Sequence, residues 1–237
     1  MEVIFAVAKI SKWASSESGD TLEMIERPHG GLSLVLVDGQ RSGRSAKKIS
    51  NIVARKAIQL LAEGVRDGAT ARAAHDYLYT YRGGKVSATL NIVSVDAASA
   101  TLVISRNNAA PVIVHTPQRG LFVLDEPSES IGTRRNVKPV ITEIPIEVGP
   151  LVIVFTDGLR HAGSWHGQDC FDPLAATQRY LREGVSNPQE IADRLLQEAL
   201  EMDDGRPRDD ISVLVVLVKE ALVEGNEVRR LSGRLPL

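Results

Sequence analysis

The chain has 237 residues, 43% of them hydrophobic and 24% charged, and its 28 basic and 30 acidic side chains leave a net charge of −2. This is a globular composition, long enough to bury a full core, and it excludes a global basic field for nucleic acid or an anionic membrane surface. Cys170 is the only cysteine, which excludes an internal disulfide and a cysteine-rich zinc site.

In chain order, Glu2 to Ile10 and Thr21 to Arg27 read as strands. His29-Gly30-Gly31 turns into Leu32–Val37, an apolar run of the kind a fully buried strand shows. From Ser45 to Glu63 the period changes: Ile49, Ile52, Val53, Ala57, Leu60 and Leu61 recur at helical spacing, and Gly64 stops the helix. A second helix is predicted over Thr70 to Tyr81. Val86–Val95, Ala100–Arg106, Pro111–His115 and Gly120–Leu124 then read as antiparallel, meander-like strands, followed by a polar surface loop from Asp125 to Val137. Val140–Ile146 and Leu151–Phe155 are strands. Helices are predicted at Pro173–Glu183 and Pro188–Met202, the second capped by Asn187, and Ile211–Val218 is the last strand.

Two helix pairs between strand blocks predict an α+β fold in which helices cover the outer faces of packed antiparallel sheets. One domain over residues 1–220, with a tail at 221–237, is the simplest division. The apolar runs fall far short of the ~20 residues of a membrane span. The start of the chain lacks a secretory pattern, so a cytoplasmic location with no membrane or nucleic-acid partner is expected.

Aspartates meet the apolar runs at their ends. Asp20 opens the second strand behind Gly19. Asp38-Gly39 closes Leu32–Val37, Asp157-Gly158 follows Leu151–Phe155 after Thr156, and Asp209-Asp210 opens Ile211–Val218. Several carboxylates on one rim repel one another unless hard cations lie between them, and all-oxygen donors favour Mg²⁺ or Mn²⁺. The competing reading is that Asp-Gly is simply a turn dipeptide.

The strings Ser18-Gly19-Asp20, Val37-Asp38-Gly39-Gln40-Arg41-Ser42-Gly43, Ser87-Ala88-Thr89-Leu90, Phe155-Thr156-Asp157-Gly158-Leu159 and Arg208-Asp209-Asp210-Ile211-Ser212 occur in this order over nearly the whole chain. The series resembles the type-2C (PPM) metal-dependent protein serine/threonine phosphatases. Within them it resembles the bacterial branch of SpoIIE, RsbU and RsbX, and most of all the short, single-domain RsbX type. The resemblance implies a four-layer αββα sandwich and two Mn²⁺ or Mg²⁺ ions bridged by the attacking water. It implies that Asp38 and Asp157 serve catalysis through that water, and that Asp20, Asp38, the Gly39 carbonyl, Asp157 and Asp209 hold the ions. Asp210 is a further candidate, as a ligand orienter or for a looser third ion. It also implies a phosphorylated STAS-domain protein as substrate, whether an anti-sigma-factor antagonist or a stressosome scaffold. A regulatory binder on the same fold and a hydrolase of small phosphoesters are the competing readings.

The chain departs from the family pattern at Asn107-Asn108, His161 and Ser212. It shows no clear equivalent of the phosphate-binding arginine of eukaryotic relatives, for which Lys9 and Lys12 are the nearest substitutes. Arg41, Arg44, Lys47 and Lys48 form a basic run that could face a phosphoprotein. The resemblance makes Ser45–Tyr81 the regulatory face. His29, His115, His161 and His166 read as loop or strand-end histidines, with Trp165 between the last two. Cys170 reads as a quiet, partly buried thiol.

Overall fold

The structure, a computed structural model, describes residues 1–28, 30–164, 170–221 and 228–234. Its strands are β1 Glu2–Ile10, β2 Asp20–Glu26, β3 Gly31–Gly39, β4 Ala88–Asp96, β5 Thr101–Asn107, β6 Val112–Thr116, β7 Gly120–Leu124, β8 Val140–Pro145, β9 Leu151–Phe155 and β10 Ile211–Lys219. The helices are α1 Gly43–Ala62, α2 Asp67–Arg82, α3 Asp157–His161, α4 Pro173–Arg182 and α5 Pro188–Met202. Among the described residues no helix is long and apolar enough to cross a membrane.

The strands make two five-stranded antiparallel sheets, ordered β1-β10-β9-β6-β7 and β2-β3-β4-β5-β8. Alternation along each strand divides the core into three layers. Leu34 and Leu36 of β3, Val152 and Val154 of β9, and Leu214 and Val216 of β10 meet between the sheets. Val35 and Val37 turn the other way, onto Ile49, Val53, Ala57 and Leu61 of α1 and Leu78 of α2. Ile153, Val213 and Val215 do the same toward Ile191, Leu195 and Ala199 of α5. The result is the expected αββα sandwich. The helices are held by their apolar stripes rather than by their caps, with exceptions at α4 and α5. There, Asp172 and Asn187 each accept two backbone N–H bonds, which supports the Asn187 cap.

Four local expectations need correction. The four strands β4 to β7 are not one meander: β5 pairs with β4 and β8, while β6 pairs with β7 and β9 in the other sheet. The crossing is made by Asn107 to Ala110, where the Asn108 side chain accepts the Ala110 N–H and donates to the Phe155 carbonyl. The stretch from 125 to 137 is not wholly a surface loop. Ile131 is fully buried and exchanges two backbone hydrogen bonds with Ala88, and Val137 is also buried. A one-turn helix, α3, follows β9 where a loop was expected. Cys170 is exposed, not partly buried. His29, Trp165 and His166 lie outside the described residues.

Candidate metal centre

Register brings the aspartates together. Asp20, first residue of β2, stands opposite Asp38 near the end of β3, and Asp38 stands opposite Thr89 of β4. Leu36 and Leu34 precede Asp38 on the same face, so the Asp38 side chain continues the inter-sheet layer at its rim. Thr156, Asp157, Asp209, Asp210 and Ser212 reach the same rim from the second sheet, where Thr156 N–H donates to the Ser212 carbonyl at 3.1 Å. An open cleft of about 410 Å³ lies there, walled by Asp38, Gly39, Asp157, Asp209, Lys12 and Arg41, with the hydroxyl residues Ser87, Thr89 and Ser130 completing it.

The glycines beside these aspartates are there for close approach. A Cβ on Gly39 would lie 2.1 Å from the Ala46 carbonyl oxygen of α1, and one on Gly158 would lie 2.2 Å from the Asp210 carbonyl oxygen. Neither has a positive φ, so it is close packing and not a left-handed backbone that calls for glycine at these two positions. They let α1 and α3 pack directly against the strand ends that carry the carboxylates.

Asp20 is fully buried behind the cleft. Its Oδ2 accepts from the Ser212 hydroxyl at 2.6 Å and the Thr156 hydroxyl at 3.1 Å, while its Oδ1 has no partner among the described residues. Lys9 and Lys47 both donate to its backbone carbonyl at 2.6 Å. Lys47 is therefore turned inward and does not belong to the outward basic face, which Arg41, Arg44 and Lys48 retain. Asp210 is buried, and its two oxygens accept the backbone N–H groups of Lys12 at 3.0 Å and Gly19 at 2.8 Å. It fixes the β1–β2 connection.

The electrostatics are those of crowded like charges. Burial pushes the Asp38 carboxyl up to about 9, and the charges of Asp20, Asp157 and Asp209 add to the rise. Burial raises Asp20 to about 6, against the pull of the Ser212 hydrogen bond and the Lys9 charge. Asp209 is also raised by burial, partly offset by the Asp210 N–H bond. Lys9 is lowered to about 8, first by burial and then by Lys47.

A divalent cation fits this donor set. The donors are all oxygen, one buried carboxylate oxygen is unpartnered, and the raised Asp38 carboxyl holds a proton that a cation would displace. Among the described residues no three acidic, histidine or cysteine side chains close into a cage by themselves, so carbonyl oxygens and other ligands must complete the coordination.

The sequence pattern marks the acidic residues and, in the Ser87–Leu90 string, part of the wall opposite them, but not Ser130. Ser130 is carried into the cleft by the 125–137 stretch, whose buried Ile131 was the available signal. Arg106, also buried, holds that stretch through the Glu126 carbonyl and donates to the Asn108 carbonyl at 3.1 Å. His161 is exposed on α3 and does not line the cleft.

Residues 28–219 match the family described as Stage II sporulation protein E (SpoIIE). The chain belongs to the SpoIIE family. The matched region holds Asp38, Gly39, Asp157 and Asp209, and Asp20 precedes it. The chain is 22% identical to Stage II sporulation protein E of Priestia megaterium over 211 residues, and 22% identical to that of Bacillus subtilis over 213. These alignments take 88% and 89% of this chain but span only 35% and 25% of those two proteins.

Among solved structures, the PP2C phosphatase domain of Bacillus subtilis SpoIIE, with a fragment of its regulatory domain, superposes with a TM-score of 0.77 at 21% identity. That match covers 92% of this chain and 64% of the other. RsbX in complex with magnesium gives 0.68 at 16% identity, covering 92% and 96%. The catalytic domain of the serine/threonine phosphatase PstP, in complex with two manganese ions, gives 0.66 at 16%, covering 92% and 99%. The fold is the PP2C type.

Proposed function

We propose that this SpoIIE-family domain is a divalent-cation-dependent phosphoserine/phosphothreonine protein phosphatase. The observation that carries the reading is the convergence of Asp38, Asp157 and Asp209 from separate strand ends on one cleft, with Asp20 buried behind it and Asp38 driven toward neutrality by burial and then by its neighbours' charges. The magnesium of RsbX and the two manganese ions of PstP, on the same fold, support it.

In this reading Asp38, Asp157, Asp209, the Gly39 carbonyl and, from behind, Asp20 hold two Mn²⁺ or Mg²⁺ ions. When bound, such ions neutralise phosphate charge and make an activated water available near neutral pH. The chain's own residues prepare this. Asp38 releases its carboxyl proton as the ions bind. Ser212 and Thr156 fix one oxygen of Asp20 and leave the other free. Asp210 ties down the segment that carries Lys12 and Gly19, so that the acidic rim keeps its shape. The cleft opens to solvent and is wide enough for a phosphorylated side chain.

The proposed substrate is a phosphorylated STAS-domain protein of the kind found in sigma-factor control or in a stressosome. Arg41, Arg44 and Lys48 give an exposed basic approach next to the cleft, and a bacterial stressosome protein is among the structures of this fold. A cytoplasmic location follows from such a substrate. The test is phosphate release from a phosphorylated STAS protein, compared with release from p-nitrophenyl phosphate, in Mn²⁺ and then in excess chelator. Cation-dependent release that favours the protein supports the reading. Release only from the small ester replaces it with a small-phosphoester hydrolase, and no release from either points to a regulatory binder.

A further inference from the structure

The cleft's proposed ligand is a dianion, and beside the ions proposed to neutralise it a side-chain cation on the wall would hold phosphate oxygens directly. Lys9 and Lys47 are committed beneath it, to the Asp20 carbonyl. Lys12 lies close enough to Asp209 for its charge to stabilise that carboxylate. Among the described residues Arg41 is the other cation on the wall. It is exposed and makes no hydrogen bond or ion pair among the described residues.

Its backbone is equally telling. Arg41 has φ +79°, in the left-handed region where a side chain costs on the order of 1 kcal/mol and glycine is at ease. It stands between Gly39 and Gly43, in the turn from β3 into α1. Among the described residues five non-glycine residues have positive φ, Ala14, Arg41, Ala100, Asn136 and Asp204, and of these Arg41 is the one on the cleft wall. A strained conformation kept at a site where glycine would fit better is a mark of use rather than of packing.

We infer that Arg41 is the phosphate-holding residue of this chain, its guanidinium fork taking two oxygens of the substrate's phosphoryl group at the mouth of the cleft. A planar fork matches two phosphate oxygens in a way that a lysine ammonium does not. The assignment rests on the phosphatase reading for its ligand, but it concerns a side chain that the family-like strings did not mark as a ligand. Strain and function then oppose each other at one position: Arg41→Gly relaxes the turn and removes the phosphate clamp.

The test uses the full chain and its Arg41→Gly, Arg41→Lys and Arg55→Ala variants, the last removing an exposed arginine farther along α1. Binding of inorganic phosphate to the Mn²⁺-loaded proteins is measured by calorimetry, beside Mn²⁺ affinity, melting temperature and turnover of p-nitrophenyl phosphate. The expected result is that Arg41→Gly melts no lower than the native chain and binds Mn²⁺ as well, yet binds phosphate about ten-fold or more weakly. Its KM should rise in step, Arg41→Lys should recover part of the loss, and Arg55→Ala should change nothing. Phosphate affinity unaltered in Arg41→Gly would overturn the inference, as would a joint loss of melting temperature and Mn²⁺ affinity. Phosphate binding lost in Arg41→Gly, in a native chain that releases no phosphate from any substrate, would support the inference and sink the phosphatase reading.

Discussion

Asp20 and Asp38 face each other across the β2–β3 ladder, one fully buried and the other at the cleft, so two carboxylates share one end of the inter-sheet layer. Like charges placed directly opposite in a sheet destabilise it. The molecule tolerates the pair by protonation in the absence of cations, and by cation binding in the proposed active form. Asp38→Asn should therefore abolish phosphatase activity while raising the melting temperature of the chelated protein at pH 8 by roughly 2–4 °C for each kcal/mol relieved. A scan of native and variant in chelator reads this directly. A variant that melts lower in chelator would contradict the account.

The pH dependence has a definite sign. Asp38 titrates at about 9 in the folded chain and near 3.9 when unfolded, an approximate reference value. Between those limits the folded protein keeps a proton that the unfolded chain has lost. Stability of the cation-free protein is then fully present below about pH 4 and is lost as pH rises toward 9. Asp20, at about 6, adds to the loss in the lower part of that window. Urea midpoints in chelator at pH 5, 7 and 9 should fall in that order, and saturating Mn²⁺ should reverse the trend. A flat profile would contradict the shifts.

Ser212 and Thr156 hold Asp20 without touching the cleft. Ser212→Ala removes the shorter of the two bonds and should weaken Mn²⁺ affinity by about ten-fold, the usual scale for a group that orients a ligand. The fold should lose on the order of 1 kcal/mol. Calorimetric Mn²⁺ titration distinguishes this from a general loss of structure, because far-ultraviolet circular dichroism should stay unchanged.

Lys47 and Lys48 are neighbours in sequence with opposite environments. Lys47 donates to Asp20 and to the Thr21 hydroxyl, and Lys48 is exposed. Lys47→Glu should lower Mn²⁺ affinity and turnover of every substrate, because it removes the donor that holds the Asp20 carbonyl and Thr21 hydroxyl and so lets Asp20 shift. Lys48→Glu should leave small-ester turnover intact and raise KM only for a phosphoprotein. Equal effects of the two on the small ester would show that the inward contact of Lys47 does not matter.

Just past the far end of β2, about 20 Å from Asp20 by strand rise, the Arg27 side chain is buried and pairs with Asp67 at 2.9 Å, and Ser94 also bonds to Asp67. Asp67→Ala leaves the guanidinium uncompensated and should destabilise the chain by about 3–5 kcal/mol. Well below its melting point it should leave Mn²⁺ affinity near native. Denaturant unfolding with a parallel Mn²⁺ titration measures both.

The features legible in the sequence were those set by short-range pattern. Leu32–Val37 and Ile211–Val218 announced buried strands, the spacing of Ile49, Val53 and Ala57 announced α1, and the acid at each strand end announced the rim. Pairing between distant segments was not legible. That Ile113 faces Ile153 while Ile104 faces Val93 is decided by which sheet completes its hydrogen bonds, and local alternation is the same either way. The inward turn of Lys47 was hidden for a similar reason: a basic run at a helix start looks solvated until an unpaired carbonyl is placed beside it. Ile131 and Ser130 were lost inside a polar stretch whose order comes from Ala88 and Arg106, far away in sequence.

The central claim is that the acidic rim is a two-cation centre organised by Asp38. Calorimetric titration of Mn²⁺ into the native chain and Asp38→Asn at pH 7.5, with proton release followed in buffers of differing ionisation enthalpy, tests it most directly. The account predicts two Mn²⁺ per native chain with net proton release, and loss of the tight binding together with that proton in Asp38→Asn. Unchanged Mn²⁺ binding in Asp38→Asn, or native binding with no proton released, would contradict it.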